Sequence, residues 1–214
     1  MIAIKDLDFS YPYGQKVFEG LDFSLKRGET VGLIGANGAG KTTLFHLILG
    51  LLKPDAGEIS IFGKARKAER DFREVRQKIG LVFQDSDDQL FCPTVEEDIA
   101  FGPLNLGKSH EEAKAIVREV CERLGLKGFE KKVTHRLSGG EKRLVALATA
   151  AAMNPECFLL DEPAVGLDEA TTDRFLRYLK EYGKTYAIIT HDREFLKSAV
   201  DKVYLLKDSK VISF

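Results

Sequence analysis

Gly35-Ala36-Asn37-Gly38-Ala39-Gly40-Lys41-Thr42 follows the apolar run Val31-Gly32-Leu33-Ile34 and opens the helix-patterned stretch Lys41–Leu52. The octapeptide fits G-x-x-x-x-G-K-[ST], with a strand before it and a helix after it, the context in which that pattern binds phosphate. Each residue type has a physical reason. Glycines let successive backbone N–H groups curl around phosphate oxygens without a Cβ in the way. The helix that starts at Lys41 presents unpaired N–H groups and the positive end of its dipole. Lys41 neutralises the β- and γ-phosphates, and the Thr42 hydroxyl is suited to ligate Mg²⁺. Asn37, Gly38, Ala39, Gly40, Lys41, Thr42 and Thr43 are the candidate phosphate-binding residues.

Further along, Cys157-Phe158-Leu159-Leu160 is an apolar strand ending in two carboxylates, Asp161 and Glu162. Successive strand residues point opposite ways, so the two are expected to differ in role. Asp161 suits holding Mg²⁺, and Glu162 suits polarising an attacking water. Strand patterns also occur at Ile2–Leu7, Glu58–Phe62, Ile79–Phe83, Tyr186–Thr190, Lys202–Leu206 and Lys210–Phe214. Helical segments are expected at about Glu169–Tyr182 and Arg193–Ser198, and the charged stretch Lys64–Lys78 reads as a surface helix. This alternation predicts an α/β core with a largely parallel sheet. Between Asp85 and Leu137 the strand-like runs vanish. His110–Leu124 instead shows helical periodicity, with Ala113, Ile116, Val117, Val120 and Leu124 on one face, which predicts a mainly helical insert.

Composition narrows the classes. The chain has 214 residues, 44% apolar and 30% charged, which is ordinary for one globular domain and excludes wholesale disorder. Lys plus Arg number 32 and Asp plus Glu 33, a formal charge of −1, so bulk electrostatics give no support for nucleic-acid binding. Three scattered cysteines without a CxxC argue against a disulfide framework or a zinc site. The first residues lack an apolar signal-peptide core, and the longest apolar stretches, about ten residues, are too short to span a bilayer. A cytoplasmic protein is expected, working at a membrane only through a partner.

Leu137-Ser138-Gly139-Gly140-Glu141 precedes a helix rich in Ala and Leu. Ser138 and Glu141 make a capping box, S-x-x-E. That leaves the paired glycines, which weaken a helix yet open its N-terminus to an anion. Here the sequence resembles the ATP-binding cassette (ABC) family, whose signature is LSGGQ; Glu141 stands in place of Gln. The resemblance covers nearly the whole chain. It implies an ABC nucleotide-binding domain: a P-loop NTPase core with a largely parallel sheet, an N-terminal antiparallel β region and an inserted helical subdomain. Residues 1–84 and about 155–214 would form the catalytic core, and about 85–154 the helical subdomain. The resemblance further implies that Tyr11 stacks on adenine and that Gln84 reaches Mg²⁺ and the attacking water. It implies that Asp168, in Gly166-Leu167-Asp168, communicates across a dimer, and that His191 contacts the γ-phosphate. Ser138, Gly139 and Gly140 would face the ATP held by a second cassette, with Glu162, His191 and Gln84 as the catalytic set.

Past Gln84, residues 85–103 read DSDDQLFCPTVEEDIAFGP. This is similar to the NPDDQLF…TVEEDVAFGP stretch of cobalt-type and energy-coupling-factor (ECF) ATPases, which drive import of vitamins and transition-metal ions. Asp85-Ser86 replaces Asn-Pro, a change expected to loosen the turn. The resemblance implies ATP and Mg²⁺ as cofactors and a second ABC ATPase subunit, identical or paralogous, as partner. It also implies a transmembrane coupling subunit, a substrate-binding membrane subunit, and a peripheral place on the cytoplasmic face of the membrane. Asp87 and Asp88 would supply countercharge to a basic helix of the membrane partner, with Leu90 and Phe91 as its apolar contact. The alternative class, a soluble ABC ATPase of repair or translation, usually carries a coiled-coil insertion or two fused cassettes, and neither pattern is present. A regulator without turnover is disfavoured by Glu162 and His191.

Overall fold

The computed structural model describes residues 1–12, 14 and 16–214. The first elements are β1 (Ile2–Ser10), β2 (Lys16–Leu25), β3 (Thr30–Ile34) and α1 (Lys41–Ile48). β4 (Ala56–Ile61), β5 (Lys64–Ala65), α2 (Glu69–Lys78) and β6 (Ile79–Val82) follow. The helices α3 (Val95–Asn105), α4 (His110–Arg123) and α5 (Gly139–Ala152) come next. The last elements are β7 (Cys157–Asp161), α6 (Glu169–Tyr182), β8 (Tyr186–Ile189), α7 (Arg193–Ala199), β9 (Lys202–Lys207) and β10 (Lys210–Ser213). Among the described residues no helix is long and apolar enough to cross a membrane.

The strands form two sheets. One is antiparallel, in the order β2-β1-β4-β5; the other runs β10-β9-β3-β8-β7-β6. In the second, only β10 is antiparallel to its neighbour. This is the α/β arrangement expected, with one long strand, β2, and the two-residue β5 that periodicity does not mark. For β2 the reason is local. Its buried side chains are Phe18, Leu21, Phe23 and Leu25, a step of three and then of two. Gly20, at φ +63°, sits in the long step, and the register against β1 shifts there. A bulge of this kind adds a residue and breaks the alternation that marks a strand.

The parallel sheet divides the interior. From β7, Cys157 and Leu159 enter the core shared with the antiparallel sheet and α1, whereas Phe158 and Leu160 enter the core shared with α5, α6 and α7. A strand covered on both faces therefore reads as an unbroken apolar run. α5 packs against β6, α3, α4 and α6, and its small residues Ala146, Ala148 and Ala150 are buried in those contacts. The one strand-like feature between Asp85 and Leu137 is an isolated bridge from Thr94 to Val133.

Two local expectations are corrected. The helix that follows the glycine loop stops at Ile48, not Leu52. Gly50 at φ +67° ends it: the Gly50 N–H donates to Leu47 O and the Leu51 N–H to His46 O, which is a Schellman closure. The stretch Lys64–Lys78 begins as a two-residue strand, and its helix starts only at Glu69, where Asp71 accepts from the Lys67 and Ala68 N–H groups.

A Cβ at Gly50 would lie 2.2 Å from Cγ of Phe72 as well as on a left-handed backbone. Gly50→Ala is expected to lower stability by about 2–4 kcal/mol from the two penalties together. Urea denaturation followed by circular dichroism measures it; a change below about 0.5 kcal/mol, the usual scale of a neutral surface substitution, would contradict the closure described.

Candidate active site

Open parallel sheets bind ligands beyond the carboxyl ends of their strands. In this chain the loops leaving β3, β6, β7 and β8 carry Gly35–Gly40, Gln84, Glu162 and His191, so sheet topology alone gathers them. Gly40 closes the glycine loop at φ +95°, and a Cβ there would lie 2.7 Å from side-chain carbons of Val17 and Phe18 on β2. The antiparallel sheet thus backs the loop. Asn37 and Gly38 are exposed at its tip, Ala39 is half-buried, and Lys41, Thr42 and Thr43 form the first turn of α1. Lys41 Nζ donates to Gly35 O at 2.9 Å and Ala36 O at 3.1 Å. These neutral acceptors are weaker partners for an ammonium than phosphate oxygens. The Tyr11 hydroxyl shares a hydrogen bond with Thr43 Oγ1 at 3.0 Å, and the ring stands edge-on to Phe9, half exposed beside the loop.

Thr42 Oγ1 donates to Asp161 Oδ2 at 2.6 Å, joining the glycine-loop helix to the end of β7. Asp161 is buried, and burial raises its pKa; the Thr42 hydrogen bond opposes that rise, and the Glu162 charge adds to it. β7 ends at Asp161, and Glu162 takes a left-handed φ of +46°. Strand alternation therefore does not separate the two carboxylates. A backbone kink does, fixed by the Glu162 N–H donating to Ile189 O at 2.8 Å. Glu162 Oε1 lies 3.0 Å from His191 Nδ1, while Oε2 is buried and makes no hydrogen bond to the protein. The neighbouring carboxylate, by hydrogen bond and charge, raises the pKa of His191 above its ordinary 6.5. A buried carboxylate oxygen with no protein donor is free to accept from a water or a substrate hydroxyl.

Gln84 is exposed just past β6 and lines a cleft of about 650 Å³ with Thr42, His46, Arg143 and Asp161. The turn after it is closed by hydrogen bonds: Asp85 Oδ1 accepts from the Asp87 N–H at 2.9 Å, and residues 86–88 form a 3₁₀ turn with Ser86 buried. One contact expectation is also corrected: Leu90 is only 8% exposed and belongs to the core. Asp87 pairs with Lys142 at 2.6 Å while staying exposed. The apolar surface is made by Phe91, 65% exposed, stacked edge-on with Phe101 at 4.8 Å and bordering a groove of about 340 Å³ with Leu51 and Met153.

Ser138, Gly139, Gly140 and Asp168 form a second group. Ser138 caps α5, its Oγ accepting from the Glu141 N–H at 3.3 Å and its own N–H donating to Glu141 Oε2 at 2.8 Å. Glu141 Oε1 pairs with Lys132. Asp168 caps α6 by accepting from the Thr171 N–H at 2.7 Å, and a Cβ on Gly140 would lie 3.6 Å from Thr171. Among the described residues no hydrogen bond joins this group to the glycine loop.

Residues 18–165 match the family described as ABC transporter. The chain belongs to the ABC transporter family. Membership makes it an ATP-binding, ATP-hydrolysing cassette. It is 46% identical to the energy-coupling factor transporter ATP-binding protein EcfA of Methanocaldococcus jannaschii, over 99% of this chain and 77% of that protein. It is also 46% identical to EcfA of Methanothermobacter thermautotrophicus, over 100% of this chain and 70% of that one. Among solved structures it resembles cbiO1 of Clostridium perfringens, part of the ABC transporter complex cbiONQ, with a TM-score of 0.87 and 35% identity over 99% of this chain and 86% of that one. It likewise resembles the dimeric cassette MJ0796 bound to ADP and Pi, with a TM-score of 0.89 and 29% identity over 99% and 96% of the two chains.

Against that family background, three residues at or near this site escape sequence reasoning. Gln89 turns inward to α5, Arg143 is a buried cation in the cleft, and Asp98 is a buried carboxylate beneath Phe91. Asp98 accepts from the Phe91 and Cys92 N–H groups at 3.1 and 3.0 Å and from Thr134 Oγ1 at 3.2 Å. No spacing rule marks any of the three, because each bonds to a segment distant in sequence.

In the nucleotide-free protein the His191 ring should titrate above 6.5, and Glu162→Gln should return it toward that value. By linkage, a raised pKa contributes stability that is fully present below the unfolded value and fades as pH rises through the folded one. NMR titration of the histidine ring protons reads the shift; a His191 pKa unmoved by Glu162→Gln would remove the pair.

Proposed function

We propose that the chain is the ATP-hydrolysing subunit of an ECF-type importer, coupling ATP binding and hydrolysis to uptake of a vitamin or a transition-metal ion through separate membrane subunits. One juxtaposition carries the catalytic part. Thr42 and Asp161 meet at 2.6 Å at the mouth of the glycine loop, and Glu162 on the next residue keeps one carboxylate oxygen free of protein partners. The likeness to EcfA proteins over the whole chain supports the transport part. The alternative, a soluble ABC ATPase of repair or translation, has no such support.

In this reading residues 1–214 are one nucleotide-binding domain, with 1–84 and about 155–214 as catalytic core and about 85–154 as helical subdomain. The N–H groups of Asn37 to Thr43 and the Lys41 ammonium cradle the phosphates, and Tyr11 stacks on adenine. The oxygens of Thr42, Asp161 and Gln84 are hard donors that suit Mg²⁺, which supplies charge neutralisation at the β- and γ-phosphates when bound. Glu162 orients the attacking water and His191 holds the γ-phosphate. The second group, Ser138, Gly139, Gly140 and Asp168, faces the nucleotide of a partner cassette, identical or paralogous, which is why it lies apart from the glycine loop of its own chain. The groove beside Phe91 and Phe101 seats a helix of the transmembrane coupling subunit, placing the cassette peripherally on the cytoplasmic face of the membrane. A substrate-binding membrane subunit selects the solute.

Lys41→Ala should weaken MgATP binding by about tenfold or more, the cost of a charge-assisted contact. Glu162→Gln should keep binding, lower turnover by about 100-fold or more, and accumulate an ATP-bound dimer on size-exclusion chromatography. A Glu162→Gln protein that hydrolyses ATP at the wild-type rate would sink the assignment of Glu162.

Phe91→Ser together with Phe101→Ser should abolish co-purification of the membrane subunits while leaving the isolated cassette's ATP affinity within about twofold, since the pair lies outside the nucleotide cleft. Undiminished co-purification would rule the groove out as the docking site.

A further inference from the structure

Where the chain leaves the parallel sheet after β6, it is held by a helix. Pairing of β6 with β7 ends at Val82 and Leu160. At Phe83 the N–H donates to Gln89 Oε1 at 3.1 Å, and the carbonyl accepts from Arg143 Nη1 at 3.0 Å. The same Arg143 nitrogen donates to Gln84 O at 2.5 Å. The Gln89 amide is in turn tied to α5, donating to Ala146 O and Thr149 Oγ1, each at 2.8 Å. One residue before Arg143, Lys142 pairs with Asp87. Besides the bonds that close its own turn, the segment 83–89 is thus tied by side chains to α5, the helix whose N-cap is Ser138.

Arg143 is 8% exposed, so its charge is kept at a desolvation cost that an apolar residue would avoid. Burial lowers its pKa, and the negative charges of Asp85, Asp161 and Glu162 oppose that fall. A single guanidinium nitrogen, held in place by its planar group, bridges two successive carbonyls.

We propose that Arg143, assisted by Gln89, is a positioning residue that clamps the Phe83–Gln89 segment to α5. Gln84 and the Ser138 end of α5 then shift as one body when nucleotide binds. The inference rests on the reading above, in which Gln84 and Ser138 both meet nucleotide. Gln84 alone would sample the cleft independently of α5; with the clamp, closing one half of the site carries the other with it.

The test uses the full chain as wild type, Arg143→Met, Arg143→Lys, Gln89→Leu and Gln84→Ala. Hydrogen exchange is followed with and without the Mg²⁺ complex of a non-hydrolysable ATP analogue, and steady-state hydrolysis is measured beside it. In the wild type, nucleotide should change protection of residues 83–91 and 138–146 in parallel. In Arg143→Met the two responses should separate, with kcat down about tenfold and KM within about threefold, and Arg143→Lys should recover part of kcat. Parallel exchange with wild-type kcat in Arg143→Met would overturn the clamp. So would a loss of kcat that follows only the unfolded fraction and is not recovered by Lys. If Arg143→Met does not fold, Arg143→Lys and Gln89→Leu decide: wild-type kcat and parallel exchange in both overturn the clamp, and separated responses in either support it. Gln84→Ala with full kcat would instead remove Gln84 from the nucleotide site, whereas an impaired Gln84→Ala beside an unimpaired Arg143→Met removes the clamp alone.

Discussion

Leu33 lies opposite Ile189, Ile189 opposite Asp161, and Leu160 opposite Val82, and on this parallel register the whole site depends. Parallel strands place all their carboxyl ends at one edge, so four loops far apart in sequence open onto one cleft. The register needs both faces of the sheet buried, which the antiparallel sheet with α1 does on one side and α5, α6 and α7 do on the other. The antiparallel sheet has a second role. Through Val17 and Phe18 it packs against Gly40 and backs the glycine loop.

Charges of both signs meet beside the glycine loop. Lys41 sits on main-chain carbonyls, and Asp161 and Glu162 lie side by side with burial pushing the Asp161 pKa upward. A polyphosphate would supply the countercharge that Lys41 and the α1 N-terminus lack. His191 meanwhile occupies one oxygen of Glu162, so the free protein already holds its two candidate catalytic groups in contact.

The helical layer is coupled to this cleft through side chains, not strands. α3 and α4 pack on α5, and α5 reaches the segment after Gln84 through Arg143, Gln89 and the Lys142–Asp87 pair. Asp98 fixes the other end of that segment by accepting from Phe91 and Cys92, so the exposed Phe91–Phe101 pair stands on a buried polar anchor. One short stretch thereby joins the cleft beside the glycine loop at one end to an apolar surface at the other.

Local rules reach far along this chain. The glycine loop, the acidic end of β7 and the capping box at Ser138 are each legible because contiguous residues carry their own physics, and Glu169–Tyr182 is bounded as its periodicity predicts. Where a local device intervenes, the reading slips. The bulge at Gly20 hides β2, the left-handed Gly50 shortens α1, and the kink at Glu162 replaces strand alternation as the reason two adjacent carboxylates differ. Tertiary structure alone decided that Leu90 is core, that Asp87 is paired, and that Gln89 and Arg143 hold the segment containing Gln84. The physical reason is separation: Arg143 and Gln84 stand 59 positions apart, and no periodicity encodes a hydrogen bond between elements that only packing brings within 3 Å of each other.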